Sequence, residues 1–138
     1  MDSLSPQDRS RLMARIRGRN TKPELVVRRI VRQLGCRYRL HGRGLPGSPD
    51  LVLQDRLLVI FVHGCYWHRH SCSRGQSVPA VRNRFWNDKF RANIARDQRV
   101  RRKLRRMGWR VITVWECQTK PSKQPSLERR LQRLLIFS

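Results

Sequence analysis

The densest chemistry in the sequence lies between positions 63 and 72, which read HGCYWHRHSC. Structural zinc is held by four cysteine or histidine ligands in a tetrahedron. Cys65 and Cys72 supply two sulfur ligands, and His70 is close enough to Cys72 to share a loop with it. Cys117, at the end of a later predicted strand, completes the set of four. The pattern predicts a structural zinc site that ties this loop to a distant part of the chain and leaves His68 free for other work.

A loop of thiols without metal is the alternative interpretation of this segment. The N-terminal sequence MDSLSPQDRSR has no apolar stretch after a basic one, so we expect no signal peptide and a cytoplasmic location. Cysteines in a reducing compartment are more typical of metal ligands or free thiols than of disulfides. Cys36 has no partner in the zinc set, and we expect it to be a small core residue.

A second candidate site lies at Pro49-Asp50, directly before a predicted strand and the turn that leads to the next strand. Many metal-dependent nucleases place an acid there, with further polar groups at the end of the following strand, where Mg²⁺ can contact both and a phosphate oxygen. The usual continuation is acid-x-Lys, whereas this chain has Phe61-Val62-His63. From the residues alone, Asp50 is therefore either a metal ligand or a turn residue that follows proline.

The charge of the chain points to a polyanionic partner. Lys and Arg number 32 against 9 Asp and Glu, which gives a net charge of +23. Like charges at this density oppose compact folding, and nucleic acid is the usual partner that offsets them. A structural RNA-binding protein is an alternative that the charge alone leaves open. The sequence has no apolar run of about 18 residues, so we expect no membrane span.

Hydrophobic spacing and turn residues predict the elements that must position these groups. In chain order they are a helix from Ser5, a helix from Thr21 to Gly35, strands Arg37–His41, Asp50–Gln54 and Leu57–Val62, a long basic helix Val81–Met107, a strand Trp109–Trp115 and a helix from Ser126. The residues expected to be buried on the long helix are Phe85, Phe90, Ile94 and Leu104. This order predicts an α/β fold with a mixed sheet of about four strands flanked by helices. The long helix would cross over between two parallel strands.

Several motifs closely resemble those of the very-short-patch (Vsr) DNA mismatch repair endonucleases. They run in order from Met13 to Cys117 and read NTKPEL at 20–25, PDL at 49–51, VHGCYWH at 62–68, His70-x-Cys72, GWRV at 108–111 and VWEC at 114–117. The resemblance implies a single endonuclease domain over residues 1–138, with a restriction-endonuclease-like core and a DNA-contacting helix or arm at residues 1–20. It also implies Mg²⁺-dependent nicking of one strand at T·G mismatches, which arise when 5-methylcytosine deaminates.

The resemblance also implies a role for each site residue. Asp50 would hold the catalytic Mg²⁺, with the backbone carbonyl of Val62 as a second ligand. His63 and His68 would handle the water nucleophile and the leaving oxygen, and Asp97 would orient His68. The zinc set that it implies agrees with the residue pattern and comprises Cys65, His70, Cys72 and Cys117.

Alternative interpretations apply to several of these residues. The resemblance places Glu24 near the active site, but Thr21-x-x-Glu24 is also a capping box that needs no catalysis. His63 and His68 would alternatively be surface or packing residues. Asp97 would alternatively pair with Arg101 on the surface of its helix.

Met13, Tyr66 and Trp67 match family positions whose side chains wedge between base pairs beside the mismatch. Apolar side chains can replace lost base stacking, and a T·G wobble is easier to unstack than a Watson–Crick pair. Core packing is the alternative role for these side chains. The expected partners are duplex DNA with a T·G mismatch and, from the family, a MutL-type repair protein. A monomer is expected because one nick needs one active site.

Two other functions remain open on the sequence. One is a related restriction-type nuclease that acts on paired DNA, and the other is a non-catalytic, zinc-containing nucleic-acid-binding protein.

The wedge hypothesis predicts the behaviour of Trp67→Ala. The variant should keep its zinc and its fold but lose the preference for mismatched over paired duplex, because the stacking replacement is gone. Competition binding with T·G and T·A oligonucleotides measures that preference, and zinc content controls for folding. An unchanged preference would remove the wedge from consideration.

Overall fold

The computed structural model of the chain describes residues 21–65, 68, 70–72, 74–76 and 83–136. The predicted helix from Ser5 lies outside these residues, as do positions 81 and 82 of the predicted long helix. The helices are α1 (Lys22–Gln33), α2 (Asn83–Arg106) and α3 (Gln124–Ile136), and the strands are β1 (Arg39–Leu40), β2 (Leu51–Leu53), β3 (Leu58–His63) and β4 (Arg110–Trp115).

The four strands form one mixed sheet in the order β1-β2-β3-β4, as the sequence predicts. The β1–β2 and β2–β3 pairs are antiparallel, whereas β3 and β4 are parallel and α2 lies between them in the chain. The register places His63 opposite Trp115, so the last residues of β3 and β4 lie side by side. The segments that follow these two strands therefore begin at the same end of the sheet.

Helix α1 begins where the sequence predicts. Thr21 is its N-cap and accepts a hydrogen bond from the Glu24 backbone N–H at 3.4 Å. Pro23 fits the first turn, where a missing N–H has no cost. The helix ends before Gly35, whose φ of +78° belongs to the left-handed region that favours glycine after a helix.

Helices α1 and α3 cover one face of the sheet. Alternate residues of β3 point toward them, so Leu58 and Ile60 are fully buried there. The other buried residues of this cluster are Val27, Ile30, Val31, Cys36, Leu51, Leu53, Ile112, Val114, Leu127, Leu131 and Leu135. The prediction that Cys36 is a core residue is confirmed.

Helix α2 covers the opposite face, where Val59 and Phe61 of β3 pack with Leu104. The loop before β2 approaches this helix closely at Gly47. A Cβ on Gly47 would lie 2.5 Å from a methyl carbon of Val100, and its φ of +71° also favours glycine. The two faces of β3 thus hold different elements in place.

The burial pattern along α2 differs in part from the prediction. Phe90 and Leu104 are buried as expected, but Phe85 is 46% exposed and Ile94 is 37% exposed. A helix of 24 residues is about 36 Å long, whereas a six-residue strand spans about 20 Å. Helix α2 therefore extends past the sheet at one end, and Phe85, near the start of the helix, gains less cover. Among the described residues, no helix has the length and apolarity that a membrane crossing requires.

Truncation of one leucine and one isoleucine on α3 tests how this helix packs against the sheet. Leu131 is fully buried and Ile136 is 41% exposed on the same helix. Leu131→Ala should lower the free energy of unfolding by about 3 kcal/mol, because the truncation leaves a cavity. Ile136→Ala is the matched control and should change it by less than about 1 kcal/mol. Urea denaturation with zinc present measures both, and equal losses would contradict the packing described.

Candidate active site and metal centre

The four predicted zinc ligands lie together in the structure. Cys65, His70, Cys72 and Cys117 each offer a ligand atom, and these atoms all lie within 4.8 Å of one another. Cys65 follows the end of β3, and Cys117 lies in the short 3₁₀ turn after β4. The parallel pairing of β3 with β4 therefore places residues 52 positions apart at one point, where the Cys117 N–H approaches Cys65 Sγ at 3.4 Å.

The donor chemistry of this cluster fits zinc. Three sulfurs and one imidazole nitrogen are a common set for a closed tetrahedral site. Cys117 Sγ and His70 Nδ1 are 3.5 Å apart, which suits ligands that each lie about 2.0–2.3 Å from a shared ion. Burial raises the pKa of the Cys65 thiol to about 12, and the neighbouring Cys117 and Cys72 thiols add to this rise. A divalent cation among these groups would stabilise the thiolates and reverse that rise.

His63, His68 and Asp97 form a second cluster beside β3. His63 is the last residue of β3, and its ring stacks on the ring of His68 with centroids 3.8 Å apart and planes 5° apart. Asp97, from α2, lies 2.6 Å from His68 through Oδ2 and Nδ1. The structure thus brings together three of the side chains for which the family resemblance implies catalytic roles.

The Asp97 carboxylate fixes the tautomer of His68. Burial would raise the pKa of Asp97, but the hydrogen bond and the charge of His68 outweigh burial and hold this pKa below its usual value. An ionised carboxylate can only accept, so His68 Nδ1 carries the proton. Nε2 of His68 is then the nitrogen that can accept a proton from another molecule.

His63 is electrically neutral at neutral pH. Burial lowers the pKa of His63 to about 3, and the charges of His68 and Arg101 act in the same direction. Its Nδ1 is buried without a hydrogen-bond partner among the described residues. A neutral imidazole has one donor and one acceptor nitrogen, so His63 can donate a hydrogen bond from one ring nitrogen and accept one at the other.

The geometry of this cluster suits proton transfer better than metal binding. The potential ligand atoms of His63, His68 and Asp97 lie within 4.8 Å of one another. However, an imidazole nitrogen directs its lone pair in the ring plane. An ion in the plane of one stacked ring lies outside the plane of the other, so the two rings cannot both ligate it well.

Glu24 and Asp50 form a carboxylate pair on the other side of β3. The pairing of β2 with β3 ends at Leu51 and Ile60, so the Val62 N–H lies beyond it and donates to Asp50 Oδ2 at 2.6 Å. Burial raises the pKa of Asp50 to about 7, the Val62 N–H opposes this rise, and the contacting Glu24 carboxyl adds to it. Two carboxyls this close favour a shared proton or a cation between them.

Glu24 is buried and pairs with Arg28 within α1. Its side chain is only 4% exposed, and its Oε2 accepts a hydrogen bond from Arg28 Nη2 at 3.1 Å. The Thr21 hydroxyl caps the helix at the same time. Thr21 can therefore cap the helix while the Glu24 carboxyl is available to the site.

The carboxylate pair supplies hard oxygen atoms, which are the ligands that Mg²⁺ prefers. The N–H and C=O of one residue project to the same side of a strand. Because the Val62 N–H faces Asp50, the Val62 carbonyl faces the same edge. The oxygen atoms at this edge therefore fit a hard divalent cation.

Trp115 connects the zinc-type cluster to the histidine pair. Its ring stacks on His70 at a centroid distance of 4.4 Å and meets His63 edge-on at 5.4 Å. In the sequence, Trp115 belongs to a predicted strand and to the VWEC motif at 114–117, but no role is predicted for its side chain. The position of this residue opposite His63 follows from the parallel register, which the sequence pattern did not specify.

Arg28 is a further site residue that the sequence analysis missed. It is 8% exposed and follows Glu24 by one helical turn. The signal was present, because two charged residues lie on the buried face of α1 among Val27 and Val31. The three predicted wedge residues, Met13, Tyr66 and Trp67, lie outside the described residues.

Comparison with known proteins identifies relatives along almost the whole chain. The family model described as DNA mismatch endonuclease Vsr matches residues 1–74. The type II nicking enzyme V.XorIIP of Xanthomonas oryzae pathovar oryzae is 48% identical over 134 residues, which cover 97% of this chain and 96% of that protein. The DNA mismatch endonuclease Vsr of Escherichia coli is 38% identical over 91% of this chain and 80% of its own length. The type II nicking enzyme V.NmeAIP of Neisseria meningitidis is 37% identical over 97% of this chain and 94% of its own.

The cysteine cluster predicts the outcome of a metal analysis. Purified protein should carry about one zinc, and Cys117→Ser should lose that zinc and unfold, because structural zinc contributes on the order of 10 kcal/mol. Elemental analysis and thermal denaturation measure the two effects. Cys36→Ala is the control, since Cys36 lies in the core and should leave the zinc in place. A metal-free protein that melts cooperatively would contradict this prediction.

Proposed function

Because this chain belongs to the Vsr family of DNA mismatch endonucleases, we propose that it nicks one strand of duplex DNA at a T·G mismatch with the help of Mg²⁺. The family membership makes it a DNA endonuclease. The observation that carries the proposal of metal-dependent nicking is the hydrogen bond from the Val62 N–H to Asp50 at 2.6 Å. Val62 directly precedes His63 in the chain. This contact supports the proposal because the carboxylate pair and His63 lie at one end of strand β3, as they would in a restriction-endonuclease-like core.

Asp50 and the backbone carbonyl of Val62 would hold the Mg²⁺, with Glu24 close enough to contribute its carboxylate. The ion supplies positive charge that stabilises the extra negative charge on the phosphate oxygens during cleavage. The high pKa of Asp50 supports this assignment, because a carboxyl that is hard to ionise in an apolar setting gains most from a cation.

His68 would act as the general base toward the attacking water. Its Nε2 is the free nitrogen, and the Asp97 carboxylate would stabilise the imidazolium that forms when the proton arrives. The neutral His63 would donate a hydrogen bond from Nε2 to the phosphate or to the leaving oxygen. These roles are complementary, because one imidazole accepts a proton while the other donates a hydrogen bond.

Zinc would stabilise the loop that carries His68. Cys65 and His70 flank His68 in the chain, so ligation on both sides fixes the backbone between them. Without this constraint, the position of the His68 ring would depend on the Asp97 bond, the stack on His63 and an edge contact with Trp115. We assign the zinc a structural role, since Cys65, His70, Cys72 and Cys117 would supply all four of its ligands.

The DNA contacts would come from α2 and from the wedge residues. The exposed cations of α2 are Arg84, Lys89, Arg91, Arg96, Arg99, Arg102, Lys103, Arg105 and Arg106. Such a helix can contact phosphates near the cut but does not read sequence by itself. Specificity for T·G would come from Met13, Tyr66 and Trp67. A monomer would suffice, because one active site makes one cut.

A nicking assay on matched duplexes tests the proposal. Wild-type protein with Mg²⁺ should nick the T-containing strand of a T·G duplex, leave the T·A duplex and single strands intact, and do so only within certain flanking sequences. Asp50→Asn should retain duplex binding but reduce the nicking rate by on the order of 100-fold or more, because the site loses a charged ligand.

Asp55→Asn is the matched control, because Asp55 is an exposed acid in the turn between β2 and β3. It should nick at the wild-type rate. Equal cleavage of T·G and T·A duplexes would contradict the proposed mismatch specificity and would favour a nuclease that nicks paired DNA. A complete absence of cleavage on any duplex would favour a binding protein.

A further inference from the structure

Arg28 occupies an unusual position for a charged residue. It lies on the buried face of α1, it is 8% exposed, and its Nη2 donates to Glu24 Oε2 at 3.1 Å. Its Nε is also buried and has no hydrogen-bond partner within the described part of the chain. An unsatisfied buried donor costs stability, and a buried ion pair is often no more stable than apolar residues of similar volume. Stability alone therefore does not account for an arginine here.

The position of Arg28 relative to the carboxylate pair provides a reason. Its charge acts on Asp50 as well as on Glu24. With both carboxylates ionised, Glu24, Asp50 and Arg28 carry one net negative charge. A divalent cation converts this to one net positive charge, whereas the same loaded site without Arg28 would be neutral.

We propose that Arg28 is a positioning residue that acts as a built-in counter-cation of the metal site. It balances the carboxylate pair before the metal binds, lowers the affinity of the free protein for the divalent cation, and keeps the loaded site positive toward the phosphodiester. This inference rests on the proposed function, because it takes Asp50 and Glu24 to be the metal-binding carboxylates.

Two effects of removing Arg28 oppose each other, and their sizes decide the expected result. Loss of the guanidinium frees the Glu24 carboxylate, which would weaken metal binding. This decrease in metal affinity should be small, because Glu24 stays buried and its backbone is fixed by the Thr21 cap. Loss of a positive charge within a few ångströms of the ligands strengthens the binding of a divalent cation by about tenfold or more in a partly buried site. The charge effect should therefore dominate.

The test measures Mn²⁺ affinity directly, by the electron paramagnetic resonance signal of free Mn²⁺ over zinc-loaded protein. Arg28→Met and Arg28→Gln should bind Mn²⁺ about tenfold more tightly than wild type, whereas Arg28→Lys should stay within about twofold because it keeps the charge. Arg32→Met is the matched control, since it removes an exposed arginine one turn later on the same helix. It should leave the affinity unchanged.

The outcomes separate this inference from the proposed function. If Mn²⁺ binding by the wild type is unaffected by Asp50→Asn, the proposed metal site itself is wrong. If binding depends on Asp50 but the neutral Arg28 variants bind Mn²⁺ equally or more weakly, the counter-cation role is wrong and Arg28 only holds Glu24. If neither neutral variant folds with zinc bound, Arg28 is needed for folding, and this also overturns the inference.

Discussion

The hydrogen bond between the Val62 N–H and the Asp50 carboxylate is the contact on which the site depends. It lies where the backbone pairing of β2 with β3 ends, so a side chain replaces a strand as the partner of a backbone N–H. This replacement brings a carboxylate to the end of the central strand. Alternate residues of β3 point to opposite faces of the sheet, so Val62 and His63 connect two groups of polar residues that lie on different faces.

The two groups differ in their electrostatics because their surroundings differ. Next to α1, burial and the nearby Glu24 carboxyl raise the pKa of Asp50, which favours a cation at that place. Next to α2, burial lowers the pKa of His63 and keeps its imidazole neutral. Desolvation disfavours the charged form in both cases, so the same physical effect prepares one group for a metal and the other for hydrogen bonding.

The cysteine cluster and the histidine pair are mechanically connected. His68 lies between two members of the cluster in the chain, and Trp115 packs against both His70 and His63. The parallel pairing of β3 and β4 supports this arrangement, because it places Trp115 opposite His63 and Cys117 beside Cys65. A small protein with a net charge of +23 has limited apolar burial with which to hold such a loop. Metal ligation would supply the missing rigidity.

The sequence by itself determined the order of the elements, the mixed sheet and the four members of the cysteine cluster. These follow from local patterns, namely hydrophobic spacing, turn residues and ligand spacing within one loop. It also gave the correct start of α1 from Thr21 and Pro23, and it included Glu24, Asp50, His63, His68 and Asp97 among the site residues by resemblance to a family. It placed Phe85 and Ile94 in the core incorrectly, because apolar spacing along a helix does not reveal which of its positions the rest of the fold covers.

Only the tertiary structure decided how the site residues meet. The stack of His63 on His68, the hydrogen bond between His68 and Asp97 and the contact of Glu24 with Asp50 join residues between 5 and 29 positions apart in the chain. Such distances depend on how α1 and α2 cross the sheet, which no local pattern encodes. Arg28 shows the same limit, because its spacing from Glu24 marks a helical turn, whereas its effect on Asp50 depends on its burial next to the carboxylate pair. Electrostatic roles are set by the environment that packing creates, and the sequence specifies that environment only through the complete fold.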